Sequence, residues 1–97
     1  MAPSIAESLR HANIQLAAET AGHYLFTRDN CIALVERRDG IFGSIGSTGM
    51  LTGEGLAYLI WRDGQAFFKS KTAEVPAPAE QLAAVRQFSQ DLAGALG

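Results

Sequence analysis

The chain lacks the sequence features that most often identify the class of a small protein. It has a single cysteine, Cys31, among its 97 residues, so no intramolecular disulfide can form and a disulfide-based secreted framework is excluded. Its longest wholly apolar run extends only from Leu56 to Trp61, whereas a helix that spans a bilayer needs about 20 apolar residues. These absences predict a protein of the reducing cytoplasm without a membrane segment.

Neither sign of charge dominates the sequence. Eight Lys and Arg residues are balanced by ten Asp and Glu residues, for a net charge of −2. Nucleic acids and anionic membranes are bound through clustered basic residues, so the composition argues against both as partners. A hydrophobic content of 47% is typical of a folded chain, and 97 residues fit one compact domain, 1–97.

The glycine-rich stretch from Gly40 to Gly55 lacks what a phosphate-binding loop requires. A P-loop needs a lysine, and a dinucleotide fingerprint needs a third glycine at a set spacing. The stretch contains no lysine, and Gly53-Glu54-Gly55 is not followed by that glycine. We therefore predict that residues 46–55 form a mobile connection between hairpins.

Two helices are predicted, one at each end of the chain. Ser4 and Glu7 form a capping box, and Gly22 stands where a helix C-terminal glycine belongs, which predicts a helix over 4–21. Apolar residues recur at helical spacing after a proline-containing linker, which predicts a second helix over 78–96.

Between the helices, short runs of β-forming residues alternate with turn signals. The pairs Asp29-Asn30, Asp39-Gly40 and Asp63-Gly64 favour two-residue hairpin turns. The predicted strands cover about 23–28, 31–38, 41–45, 56–62 and 65–71. The predicted fold is α+β, an antiparallel sheet of about five strands in hairpins, in the order α-β-β-β-β-β-α.

The predicted hairpin registers separate the two faces of the last hairpin, because residues directly opposite each other share a face. One face carries Trp61 opposite Ala66 and Leu59 opposite Phe68, and we expect it to be core. The other face carries an apolar patch with a cationic rim, formed by Tyr58, Ile60, Phe67, Arg62, Lys69 and Lys71. This patch is either an ordinary surface strand that a helix covers in part, or an interaction surface.

The few residues that could carry chemistry lie apart in the same register. Cys31 is expected opposite Arg28 and His23 opposite Glu36, which separates thiol and imidazole by roughly 16 Å. Cys31 is a core residue or, if Arg28 lowers its pKa, a candidate reactive thiol. The histidines and the cysteine have no metal-ligand spacing, so no metal, no cofactor and no catalytic residue are predicted.

Three functions follow from these observations. The leading hypothesis is a non-enzymatic protein-interaction or regulatory domain that acts as a homodimer, because the strand at Leu56 to Trp61 is apolar on both faces. The alternative is a small-molecule-binding domain, whose apolar pocket between sheet and helix is gated by residues 46–55; its lining would be Tyr24, Phe26, Phe42 and Trp61. A third possibility, an enzyme that uses Cys31, predicts loss of activity on Cys31→Ser.

Overall fold

The computed structural model describes residues 4–39, 41–53 and 55–96, and within them the chain forms one antiparallel meander between two helices. The strands lie in the sheet in their order along the chain, each paired with the next. The predicted α+β fold with a helix at each end is confirmed, with seven strands in place of about five. The elements are α1 Ile5–His11, β1 Gln15–Glu19, β2 His23–Arg28, β3 Cys31–Arg38, β4 Ile41–Thr52, β5 Gly55–Arg62, β6 Gln65–Lys69, β7 Glu74–Pro76 and α2 Ala79–Leu96.

The first helix is much shorter than the predicted 4–21. It begins as expected, with the Glu7 backbone N–H donating to Ser4 Oγ at 3.2 Å, but it ends at His11. Asn13 adopts a positive φ of 60°, a conformation that asparagine tolerates and that turns the chain out of the helix. The following residues then pair with β2 as strand β1. The free edge of β2 thus overrides a weak local helix preference.

The predicted hairpin turns set the registers of two strand pairs correctly. Asp29 and Asn30 have φ of 49° and 67°, and Asp63 and Gly64 have φ of 50° and 79°, as a type I′ turn demands. Four predicted pairs are found: Arg28 with Cys31, His23 with Glu36, Trp61 with Ala66, and Ile60 with Phe67. The predicted strand over 65–71 ends early, at Lys69, because the chain turns at Ser70.

Residues 46–52 are strand and not the free connection that the glycines suggested. They continue β4, which pairs with β3 from Ile41 to Met50 through two irregularities that each accommodate one extra residue on β4. At Gly49 the backbone of the paired strand β5 lies so close that a Cβ would overlap the carbonyl oxygen of Ala57. The glycine is therefore required by close packing of two strands, and a gate over 46–55 is not supported.

Strands β4 and β5 pair over only part of their length. Their pairing in the described residues runs from Gly49 with Tyr58 to Thr52 with Gly55. The earlier part of β4 pairs with β3, and the later part of β5 pairs with β6. Helix α2 packs against β3 and β4 on one side of the sheet, where its Val85, Phe88 and Leu92 are fully buried with Phe26 and Val35.

Arg28 ties the N-terminal segment to the C-terminal helix. Its Nη1 donates to the carbonyl oxygen of Ala12 and to Asp91 Oδ2, both at 2.9 Å. Its guanidinium also lies 5.5 Å from the ring centroid of Phe88. One side chain of β2 thereby fixes the junction after α1 against α2.

Candidate functional site

Helix α2 covers one face of the sheet and leaves the other uncovered. Ala57 and Phe68 lie in the buried cluster with the apolar side chains of α2. Because side chains alternate along a strand, their neighbours Tyr58, Ile60 and Phe67 point away from that helix. We call the side of the sheet that carries Tyr58, Ile60 and Phe67 the open face. Helix α2 therefore does not cover Ile60 and Phe67, which the sequence had left as one possibility.

The expectation that Trp61 belongs to the core is wrong. It lies on the same face as Ala57 but is 50% exposed, because it stands near the end of β5, beyond the residues that pair with β4. The Arg86 guanidinium lies 5.4 Å from the centroid of its ring. A cation packed over indole is an ordinary way to cover an exposed tryptophan.

One row of directly paired residues crosses the open face on all seven strands. It runs through Gln15, Thr27, Ile32, Gly49, Tyr58, Lys69 and Glu74. Gly49 interrupts the row of side chains between Ile32 and Tyr58. Ile32 is only 2% exposed although it stands outside the cluster beneath α2, so the open face carries buried apolar surface of its own.

Five large apolar side chains form a continuous patch on this face. Tyr58, Ile60 and Phe67 are half-buried, and Ile60 stands directly opposite Phe67. Leu51 and Leu56 also stand opposite each other, with exposures of 49% and 37%. We call these five residues the open-face patch.

The hairpin register predicted from the sequence also places Leu56 on this face, although not among the candidate site residues; Leu51 is the member that sequence reasoning missed. The glycines around Leu51 predict a loop there, because glycine weakens a strand prediction. Extending the third strand through the glycines to the apolar pair Met50 and Leu51 is the signal that would have found it.

The cationic side chains at the border of the patch differ in their partners. Arg62 Nη2 lies 2.9 Å from Glu74 Oε1, so its charge is matched within the fold. Lys69 and Lys71 are exposed and have no ion-pair partner among the residues that the structure describes. They are the only lysines of the chain. The two unmatched ammonium groups therefore stand together at one end of the open face.

A groove of about 590 Å³ lies at this end and brings both lysines beside apolar surface. It is lined by Gly55, Leu56, Tyr58, Lys69, Ser70 and Lys71. Ser70 organises the turn that carries Lys71, since its Oγ accepts the backbone N–H of Ala73 at 3.1 Å and its own N–H donates to the Ala73 carbonyl at 2.9 Å. The tertiary structure thus joins Lys69, Lys71 and Tyr58 in one concave site.

The residues expected to line a pocket beneath the helix are packed ring to ring. The centroid of Tyr24 lies 4.8 Å from that of Phe42 and 6.4 Å from that of Phe26. The Phe26 and Phe42 centroids are 5.7 Å apart. The structure therefore brings these three together as part of the filled core and leaves Trp61 away from them at the surface.

Cys31 occupies the core position that its neighbours suggested. It is 3% exposed and stands opposite both Arg28 and Met50. Burial raises the pKa of its thiol, and this outweighs the opposing effect of the nearby Arg28 charge. A neutral, buried thiol is a poor nucleophile, so the geometry does not favour a reactive cysteine.

Comparisons of the chain with protein-family models, with curated proteins and with solved structures gave no match. None of the helices in residues 4–39, 41–53 and 55–96 is long and apolar enough to cross a membrane. The open face and its groove are the features from which a function can be proposed.

Proposed function

We propose that this chain is a non-enzymatic protein-interaction domain of regulatory type, which binds a partner protein on its open face and itself acts as a homodimer. The observation that carries the proposal is the open-face patch. It remains uncovered by α2, which packs on the opposite side of the sheet. Single exposed apolar residues are normal on protein surfaces, but contiguous ones bordered by charge mark interaction sites.

The arrangement of the patch suits a protein partner. Its members lie on adjacent positions of β4, β5 and β6, so they form one surface and not scattered exposures. A specific interface commonly covers about 800 Å² on each partner, with apolar side chains at its centre and polar ones at its rim. The patch supplies the centre, and Arg62, Lys69 and Lys71 supply the rim.

The homodimer is assigned to the outer edge of β1. An edge strand offers unpaired backbone groups to another strand, and proline, lysine or a very short strand normally protects it. The edge strand β7 has three residues and includes Pro76. The opposite edge strand, β1, is exposed throughout and contains no proline or lysine, although a bulge at Ala17 interrupts its pairing with β2. Antiparallel pairing of two β1 strands fits a twofold axis and leaves the open face accessible.

Solution mass tests the homodimer directly. We expect sedimentation equilibrium to give a mass that rises toward twice 10.3 kDa as the concentration increases. Ala18→Lys brings like charges together near the proposed axis and should return the protein to a monomer. Ala83→Lys is the matched control, because Ala83 is an exposed alanine on α2; this variant should remain dimeric.

Two results would contradict this assembly. A monomeric mass at every concentration would remove the homodimer from the proposal. Loss of the dimer in Leu56→Ser together with its retention in Ala18→Lys would assign the self-contact to the open face and overturn the contact at β1.

The cytoplasmic location, which we also propose, rests on the single buried cysteine.

A further inference from the structure

We infer that the groove at the end of the open face binds an acidic segment of a partner protein, with carboxylates on Lys69 and Lys71 and an adjacent apolar side chain against Leu56 and Tyr58. This inference rests on the proposed function and specifies the chemistry of its partner. The juxtaposition that carries it is an apolar wall and two ammonium groups in one concave site, neither of which forms an ion pair with a described residue.

Charge complementarity decides the sign of the partner. The whole chain carries a net charge of −2, yet the described residues that line this groove include two cations and no carboxylate. Glu74 stands opposite Lys69 in the sheet but is paired with Arg62. The lysines are therefore left to attract external negative charge, and like-charged partners are rejected at the same place.

The shape of the groove favours a segment of chain. Gly55, which lines the groove, has no side chain and open space where a Cβ would stand, which leaves room for a bound backbone to approach. The turn at Ser70 holds the backbone that carries the Lys71 side chain. Binding to Lys71 therefore costs less conformational entropy than binding to a lysine in a disordered loop. Tyr58 offers a rigid ring for an apolar anchor.

A membrane or a nucleic acid fits these residues less well. Electrostatic attachment to anionic lipid is a property of clusters of about four to eight basic residues, whereas this groove is lined by two lysines, and Arg62 at the border of the open-face patch is paired with Glu74. Backbone contacts to single-stranded nucleic acid need a longer basic track with exposed stacking platforms. Phe67, the second aromatic residue of the patch, is half-buried.

The test is a selection from a phage-displayed library of random 12-residue peptides. The library is selected in parallel on the wild-type protein, on the double variant Lys69→Glu/Lys71→Glu, and on Arg10→Glu. Arg10 is exposed on α1 and is absent from the groove, so it controls for a general change in charge. Circular dichroism melting verifies that each variant folds, and Lys69→Gln/Lys71→Gln replaces the double variant if charge reversal prevents folding.

We expect the wild type and Arg10→Glu to enrich peptides that combine Asp or Glu with a large apolar residue. The best of them, made synthetically, should bind the double variant at least about tenfold more weakly and should lose affinity as salt is raised. Methyl and amide signals of Leu56 should shift on titration.

Other outcomes would overturn the inference in distinguishable ways. Enriched peptides that are apolar without acid, insensitive to the lysine variants but lost with Leu56→Ser, would refute the acidic partner and retain the interaction domain. Equal enrichment of acidic peptides by the double variant would refute the role of the lysines. No enrichment by the wild type would count against both the inference and the proposed function. Tighter binding of anionic vesicles or of oligonucleotides than of any peptide would refute a protein partner.

Discussion

The substitution Gly49→Ala is the most direct test of the pairing between β4 and β5. A Cβ at this position would overlap the Ala57 carbonyl oxygen and would come within 2.7 Å of the Tyr58 Cα. Both neighbours are backbone atoms of a paired strand, so no side-chain rotation can relieve the overlap, and β4 and β5 must separate where they pair. Overpacking of a core commonly costs about 1–3 kcal/mol, and a backbone clash falls at or above the upper end. We therefore expect a loss of about 3 kcal/mol in the free energy of unfolding.

A loss of that size lowers the melting temperature of a domain of this length by about 12 °C or more. Urea unfolding followed by circular dichroism measures the free energy, and thermal unfolding measures the shift. Gly46→Ala is the matched control in the same strand, since a Cβ there would meet only the Leu34 carbonyl oxygen at an ordinary 3.5 Å. If Gly49→Ala unfolds within about 0.5 kcal/mol of Gly46→Ala, a scale typical of neutral surface changes, the close crossing of β4 and β5 is wrong.

Two further predictions concern buried and paired groups of the same fold. Hydrogen bonds from Arg28 and from Gln87 lower the pKa of the Asp91 carboxyl below its ordinary 3.8; this pairing therefore adds stability above about pH 4 and loses it as the pH falls through the lower folded-state pKa. The stability difference between wild type and Asp91→Asn, measured by urea unfolding, should shrink from pH 6 to pH 3, and a difference that stays constant would contradict the ion pair. Burial of Cys31 and its raised pKa predict that Ellman's reagent reacts with the unfolded protein much faster than with the native one. Equal rates in buffer and in urea would show that the thiol is accessible.

The composition of the open face could be read in part from the sequence, and its exposure could not. Tyr58, Ile60 and Phe67 share a face because Asp63 and Gly64 fix a two-residue turn, and the turn sets the register by counting. Whether α2 covers that face depends on helix packing far along the chain. No local pattern in the strands distinguishes the two faces, since both carry large apolar residues.

The lining of the groove could largely be predicted from the sequence. All six lining residues belong to β5, to β6 or to the two residues after β6, and the register of that hairpin places Lys69 opposite Tyr58. Only the tertiary structure ended β6 at Lys69 and placed Lys71 in the turn at Ser70. The pairing of β4 with β5, which brings Leu51 opposite Leu56, was hidden by the glycines, which a sequence-based assignment treats as breaks.

The sequence by itself determined the α+β class, the two tight turns, the registers of β2 with β3 and of β5 with β6, and the position of α2. These features depend on interactions among residues close together in the chain, for which turn chemistry and periodicity are sufficient. Only the tertiary structure decided three features: residues 15–19 form an edge strand beside β2 and not the predicted helix, residues 46–52 are strand, and one sheet face is not covered by α2. Those outcomes depend on which distant backbone or side chain supplies the hydrogen bonds and the apolar contacts, and local preferences are too weak to fix them.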